Sequence, residues 1–218
     1  MKGKNEEVQD IIWEGRLKKE GRGIGKANLS LLQELHKIDF KSLLDVGCGD
    51  GLLLEHLRKI YPKKTFVGAD ISETALKAAR GKKLTVKKID GEKLPFKDNS
   101  FDAVVSVQVL QHVENPDKFI KELQRVSKKF VLINAPNHSW WRFRVKKMIG
   151  LKPDIMVGET RHTSFFDFMK LKELLEKNRL EIISFDATGS VPLFGREDVS
   201  SFYPELFGTG FTFLCRKL

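Results

Sequence analysis

The chain predicts an α/β fold in which a mostly parallel sheet is covered by helices on both faces. Three observations carry that prediction. Short apolar runs alternate with segments of helical period, the first run breaks into a loop holding three glycines, and the alternation persists through five strands. Parallel neighbours need right-handed crossovers, which place the helices on the two faces.

Residues 1–40 read as a helical lead-in, with Leu31, Leu32, Leu35 and Ile38 at helical spacing. "KSLLDV" is the first strand and ends in the glycine loop. Leu53, Leu54, Leu57 and Ile60 then return to a helical period until Tyr61 and Pro62 stop it. "KTFVGAD" is the second strand. Ser72 caps the helix "ETALKAAR", which Gly81 is expected to close in a left-handed conformation. "LTVKKID" and "FDAVVSVQVL" supply the third and fourth strands, and Asn115 with Pro116 opens a helix carrying Phe119, Ile120, Leu123 and Val126. "KKFVLINAP" is the fifth. The alternation then lapses in a long insertion, helical around Trp141, Val145, Met148 and Ile149. Asp167 caps "FDFMKLKELLEKN", and "LEIISFDA" and "TGFTFLCRK" form two last strands able to close the sheet antiparallel.

With 218 residues, 41% of them hydrophobic and 16 of them Phe, the chain can bury one sizeable core and is not disordered. A net charge of +10 suits an anionic partner such as nucleic acid or a membrane surface. Yet the 39 basic residues are interleaved with 29 acids, the pattern of a solvated surface, and only "WWRFRVKK" is concentrated. Cys48 and Cys215 make no disulfide framework, so a reducing, cytoplasmic location is expected. No run approaches about 18 consecutive apolar residues, and "MKGKNEEVQDIIWEGRLKKEG" lacks an apolar core, so neither a membrane span nor secretion is expected.

In an open parallel sheet, ligands sit beyond the carboxyl ends of the strands, so the loop after the first strand is the leading site candidate. Gly47, Gly49 and Gly51 let the main chain turn tightly and approach a ligand. The dinucleotide pattern G-x-G-x-x-G fails because Leu52 stands at its third glycine, and Asp50 at the mouth of the next helix repels phosphate. Asp70 ends the second strand, where a carboxylate can accept bonds from both hydroxyls of a ribose, and Asp90 ends the third. Ile71 and Leu94 can flank an adenine ring, and Asp45 can orient an ammonium. An Asp after a strand is also a common cap or turn residue, so their joint spacing is the signal.

These residues resemble the class I S-adenosylmethionine-dependent methyltransferases, within the type 11 group of small-molecule enzymes related to quinone pathways. The resemblance runs through "LLDVGCGDG", "FVGADIS", "KKIDGEKLPFKDNSFDAVVSVQVLQHV" and "LQRVSKKFVLINAPN", covering residues 41–137. It implies a Rossmann-like, seven-stranded, mostly parallel sheet with the last strand antiparallel. It also implies a single domain, divided into a helical lid (1–40), a cofactor-binding core (41–137), an acceptor-side insertion (138–165) and a C-terminal helix with strands (166–218). On this resemblance Gly47, Cys48 and Gly49 lie against the cofactor, Asp70 and Ile71 bind its ribose and adenine side, and Asp90 with Gly91 borders the adenine. Gln108 lies near the sulfonium and the acceptor.

Relatives that use a catalytic metal carry "EVLEHV" where this chain has "QVLQHV". Gln108 and Gln111 cannot supply the anionic oxygens a hard cation prefers, so no metal is expected. Methyl transfer needs alignment, exclusion of water and sometimes a base. His112 is the candidate base by its position after the fourth strand, and is also readable as a helix-entry or packing residue. His138, Trp140, Trp141 and His162 are the candidate acceptor-side residues, with Trp13, Arg16 and Arg22 in the N-terminal part of the lid. Arg142, Arg144, Lys146 and Lys147 among aromatics also suit a membrane surface or RNA bases, although they do not share one helical face.

The expected function is methylation of a small-molecule acceptor by a monomer or homodimer, with S-adenosylhomocysteine as product. An RNA methyltransferase is the alternative that the charge favours, although "NAPN" only faintly echoes the motif for exocyclic amines. A non-catalytic cofactor-binding protein is a further alternative, and an oxidoreductase is opposed by Leu52.

Overall fold

A computed structural model describes residues 4–17, 25–89, 93–138, 148, 150, 164–188 and 210–218. The apolar runs pair into a seven-stranded sheet of order β3-β2-β1-β4-β5-β7-β6. Its strands are β1 (Ser42–Val46), β2 (Thr65–Asp70), β3 (Val86–Lys88), β4 (Phe101–Val107), β5 (Ser127–Pro136), β6 (Leu180–Thr188) and β7 (Gly210–Lys217). β1 pairs in parallel with both β2 and β4, so successive crossovers run outward in opposite directions from β1 and leave a crevice at its carboxyl end. β7 alone is reversed, antiparallel to β5 and to β6. The five parallel strands and the antiparallel closure thus follow the sequence expectation.

Strand period divides the core. Leu44, Val46, Val104, Val131 and Ile133 point to one face, beneath α5 (Pro116–Val126) and α6 (Phe168–Lys177), with Phe119, Leu123, Leu171 and Phe213. The alternate residues Leu43, Val105, Leu132 and Leu214 point to the other face, beneath α2 (Lys26–Leu35), α3 (Leu52–Ile60) and α4 (Glu73–Gly81), with Leu31, Leu35, Leu57 and Leu76. Burial on both faces explains why these strands read as nearly continuous apolar runs.

Local chemistry starts the helices where the sequence indicates. Ser72 Oγ accepts from the Ala75 N–H at 3.1 Å, Asn115 Oδ1 from Lys118 at 3.0 Å and Asp167 Oδ1 from Lys170 at 2.9 Å. Gly81 departs from expectation. It is the last residue of α4 and does not take a positive φ; the left-handed turn falls instead on Lys83, φ 58°. There Arg58 donates to the carbonyls of Lys82 and Lys83 at 3.3 and 3.1 Å, a tertiary contact that fixes the turn two residues later.

The segment after β3 is clasped from α5. Arg125 donates to the carbonyls of Leu94 and Phe96, each at 2.9 Å, while Glu122 accepts from the Leu94 N–H at the same distance. Among the described residues no helix is long and apolar enough to cross a membrane.

Phe119 is wholly buried between α5 and the sheet. Phe119→Ala should therefore destabilise the fold by about 3–5 kcal/mol, read as a lowered urea midpoint with an unchanged slope.

Candidate active site

The crevice at the carboxyl ends of β1, β2 and β4 holds a cavity of about 480 Å³. Its floor is the glycine loop, its sides are Asp70–Ile71 and Gln108–Val113, and α1 (Lys4–Leu17) with the start of α2 covers it through Gln9, Trp13 and Asn28.

The loop is bare for a steric reason. Gly47 has φ +82°, and a Cβ there would stand 2.1 Å from Val109 Cγ2; Gly49 has φ +55°, and a Cβ there would stand 2.1 Å from Trp13 Cζ2. The N–H groups of Gly47 and Cys48 both donate to the Ala69 carbonyl, at 2.7 and 3.1 Å, which ties the loop to the end of β2.

Three acids of the cavity wall are buried, and each is compensated differently. Asp70 accepts from the N–H of Gly49 at 2.7 Å and of Ser72 at 2.8 Å. Burial still pushes its carboxyl up, with the N–H groups of Ser72, Gly49 and Ile71 opposing. Asp50 pairs with Lys82 at 3.0 Å. Asp45 is pushed up to about 8, first by burial and then by the charge of Asp70. The Cys48 thiol is raised by burial and by Asp45 and Asp70, so it is held as the neutral thiol and packs as a small side chain.

The roof is fastened by charge and hydrogen bonding. Asp10 Oδ1 accepts from Ser72 Oγ at 2.5 Å and from the Thr74 N–H at 3.0 Å, at the positive end of α4. Lys88 on β3 meets Glu6 at 2.5 Å. These bonds hold α1 so that the Trp13 indole lies on Gly49. Sequence inspection placed Trp13 in a lid but did not find Gln9, Asp10 or Asn28.

At the end of β4, Gln108 adopts φ +57°, a conformation uncommon for non-glycine residues. Its amide donates to Asn134 Oδ1 at 2.6 Å. His112 ends a 3-10 turn, Leu110–His112, and lines the cavity, with its Nε2 3.3 Å from Gln111 Nε2.

The cavity therefore gathers Asp45, Gly47, Cys48, Asp70, Ile71, Gln108 and His112, with Gly49 in the same loop beneath Trp13. His138 does not line this cavity: it is buried, accepts from the Phe166 N–H at 3.2 Å and stands edge-on to Phe165, and burial lowers its pKa. Leu94 is buried under the Glu122 clasp. Asp90, Gly91, Trp140, Trp141, His162 and Arg22 lie outside the described residues, as do Arg142, Arg144, Lys146, Lys147 and the side chain of Arg16. Among the described residues no group of three or more His, Cys, Asp or Glu is arranged to hold a metal ion.

Residues 44–132 match the profile of a methyltransferase domain. The malonyl-[acyl-carrier protein] O-methyltransferase of Legionella pneumophila is 35% identical over 116 residues, which are 51% of this chain and 40% of that relative. The ubiquinone biosynthesis O-methyltransferase of Bartonella bacilliformis is 26% identical over 65% of this chain and 60% of its own length. Over its central region the chain is thus similar to methyltransferases.

Solved structures agree on the fold. A SAM-dependent methyltransferase from Thermotoga maritima superposes with a TM-score of 0.64 at 22% identity, covering 88% of this chain and 89% of that one. Haemonchus contortus phosphoethanolamine N-methyltransferase 2, solved with S-adenosylmethionine, superposes with a TM-score of 0.66 at 17% identity, over 98% of this chain and 57% of that one. The chain spans 40% and 60% of the length of the two curated relatives above.

Asp45 gives the free protein a definite pH dependence. Its folded pKa of about 8 lies above its ordinary 3.8, so the folded state retains a proton that the unfolded state has lost. The stability held by the protonated form is complete below the ordinary value and is lost as pH rises through the folded one. Asp45→Asn mimics the protonated side chain. Its melting temperature should fall less than that of the parent between about pH 5 and about pH 8, and parallel melting curves across that range would refute the assignment.

Proposed function

We propose that this chain transfers a methyl group from S-adenosylmethionine to a small-molecule acceptor by direct in-line displacement, releasing S-adenosylhomocysteine. The observation that carries the reading is a cavity at the switch point of the sheet that combines a bare glycine loop with buried Asp45 and Asp70. Those residues fit the cofactor. An acid kept protonated by burial and by a neighbouring charge gains most when a cation arrives, which suits the ammonium of the methionine end beside Asp45. Asp70 Oδ2 holds the Gly49 N–H and Oδ1 the Ser72 N–H, and a carboxylate has further lone pairs for a ribose hydroxyl. Ile71 offers an apolar wall for the adenine, and Asp90 with Gly91 continues that edge in this reading. When bound, the cofactor supplies an electrophilic methyl on a sulfonium.

The protein's part is alignment and exclusion of water. Trp13 on Gly49 and the Asp10 clasp close the roof on the loop side, while Gln108 and His112 border the space into which an acceptor must come. His112 is the group assigned to take a proton from the acceptor. His138, Trp140, Trp141 and His162 belong to the acceptor side in this proposal, with residues 1–218 forming one domain and no metal taking part. The O-methyltransferase names of the two curated relatives support a small or carrier-borne acceptor.

Calorimetry with S-adenosylmethionine and S-adenosylhomocysteine, with NAD as control, tests the reading directly. Binding of the first two alone is expected, and no binding of either overturns it. Asp70→Asn should weaken the cofactor by about 1–3 kcal/mol in a protein that still folds; unchanged affinity would remove Asp70 from the site. Once an acceptor is in hand, His112→Ala should leave cofactor affinity intact and slow turnover about 100-fold. An unchanged rate would return His112 to a packing role.

A further inference from the structure

Gln108 lines the cavity, yet its amide nitrogen is turned toward Asn134, which is wholly buried and outside the cavity wall. The two ends of an amide have nearly the same shape, so their orientation must follow from their partners. One fixed acceptor decides it here. The main-chain carbonyl of Gln108 can only accept, and a side-chain atom of Gln111 lies 3.0 Å from it, so that atom must be the nitrogen, Nε2. The same nitrogen is 3.3 Å from the side chain of Gln108, which must therefore present its oxygen there.

The rest of the row follows. Gln108 is left with its nitrogen facing Asn134 at 2.6 Å, so Asn134 receives it with oxygen, and its own nitrogen donates to Thr212 Oγ1 at 2.8 Å. Ser30 Oγ on α2 lies 2.6 Å from the same hydroxyl. Asn134 and Thr212 are opposed residues of the β5–β7 ladder, so the sheet itself sets their spacing. Reversing any one amide would place oxygen against oxygen or N–H against N–H.

We propose that Asn134 and Thr212 are positioning residues that lock the Gln108 carbonyl oxygen toward the cavity wall formed by Gln111 and His112, where it favours an electropositive ligand group. The inference rests on the methyltransferase reading. Val109, the next residue, touches Gly47, so the Gln108 segment abuts the loop assigned to the methionine end. The group of matching chemistry there is the methyl sulfonium. An amide oxygen attracts it and gains nothing from the uncharged thioether of the product. The row thus favours the charged cofactor over S-adenosylhomocysteine without an acidic side chain at position 108.

The test is calorimetry of the unaltered protein and of Asn134→Leu, Thr212→Val and Thr212→Ser with S-adenosylmethionine and S-adenosylhomocysteine. Asn134→Leu frees the Gln108 amide and should weaken S-adenosylmethionine roughly tenfold while S-adenosylhomocysteine stays within about twofold. Thr212→Val should shift the ratio in the same direction by a smaller factor, and Thr212→Ser, which keeps the hydroxyl, should restore it. If Asn134→Leu does not fold, the two Thr212 variants decide. Equal losses for both ligands, an unchanged ratio in the disruptive variants, or equal affinity of the unaltered protein for the two ligands would overturn the proposal and leave the methyltransferase reading standing. No binding of either ligand to the unaltered protein would overturn both.

Discussion

The carboxylate of Asp70 joins three parts of the molecule that are remote in sequence. One oxygen holds the Gly49 N–H and so fixes the glycine loop; the other holds the Ser72 N–H and so fixes the entry to α4. Ser72 in turn donates to Asp10, which brings α1 over the crevice and sets Trp13 on Gly49. The position of this carboxylate follows from the parallel pairing of β1 with β2, which delivers the end of β2 beside the loop that leaves β1. Floor, wall and roof of the cavity therefore depend on one buried carboxyl group whose bonds come largely from main-chain N–H groups, donors that do not change with side-chain rotamer.

The electrostatics of the cavity run against those of the chain as a whole. A protein of net charge +10 collects Asp45, Asp50 and Asp70 in one buried place. Lys82 answers Asp50 and backbone N–H groups answer Asp70, while burial and Asp70 keep Asp45 protonated up to about 8. Such an arrangement is ready for a cation at one point and for neutral hydroxyls at another, and it is poorly suited to a phosphate. The basic surface and the acidic cavity are thus separate features, and the second bears on the cofactor.

At the opposite wall the chain presents amides. Amides carry no net charge but have direction, and direction must be imposed by neighbours. Gln108, Gln111, Asn134 and Thr212 form a hydrogen-bonded row anchored at one end by a main-chain carbonyl. The positive φ of Gln108 belongs to the same construction: the turn that strains its backbone is where β4 hands the chain to the cavity wall.

How much of this was legible in the sequence depends on the range of the interaction. The strands holding "LLDV" and "AVVSV" were legible as short apolar runs between turn signals, because a strand buried on both faces carries few polar side chains. Caps at Ser72, Asn115 and Asp167 were legible because a cap acts on N–H groups two or three residues away. The glycine loop and Asp70 were legible as a site because the alternating pattern put both at strand ends. The turn at Lys83 rather than Gly81 was not, since Arg58 on another helix supplies the deciding bonds. Nor were the Asp10–Ser72 and Asn134–Thr212 contacts, which span 62 and 78 residues. The sequence by itself determined the alternation, the loop and the acids at the strand ends, because short-range sterics and hydrogen bonding decide those. Only the tertiary structure decided which helix roofs the cavity and which way its amides point, because those follow from the pairing order of the strands and no local pattern records it.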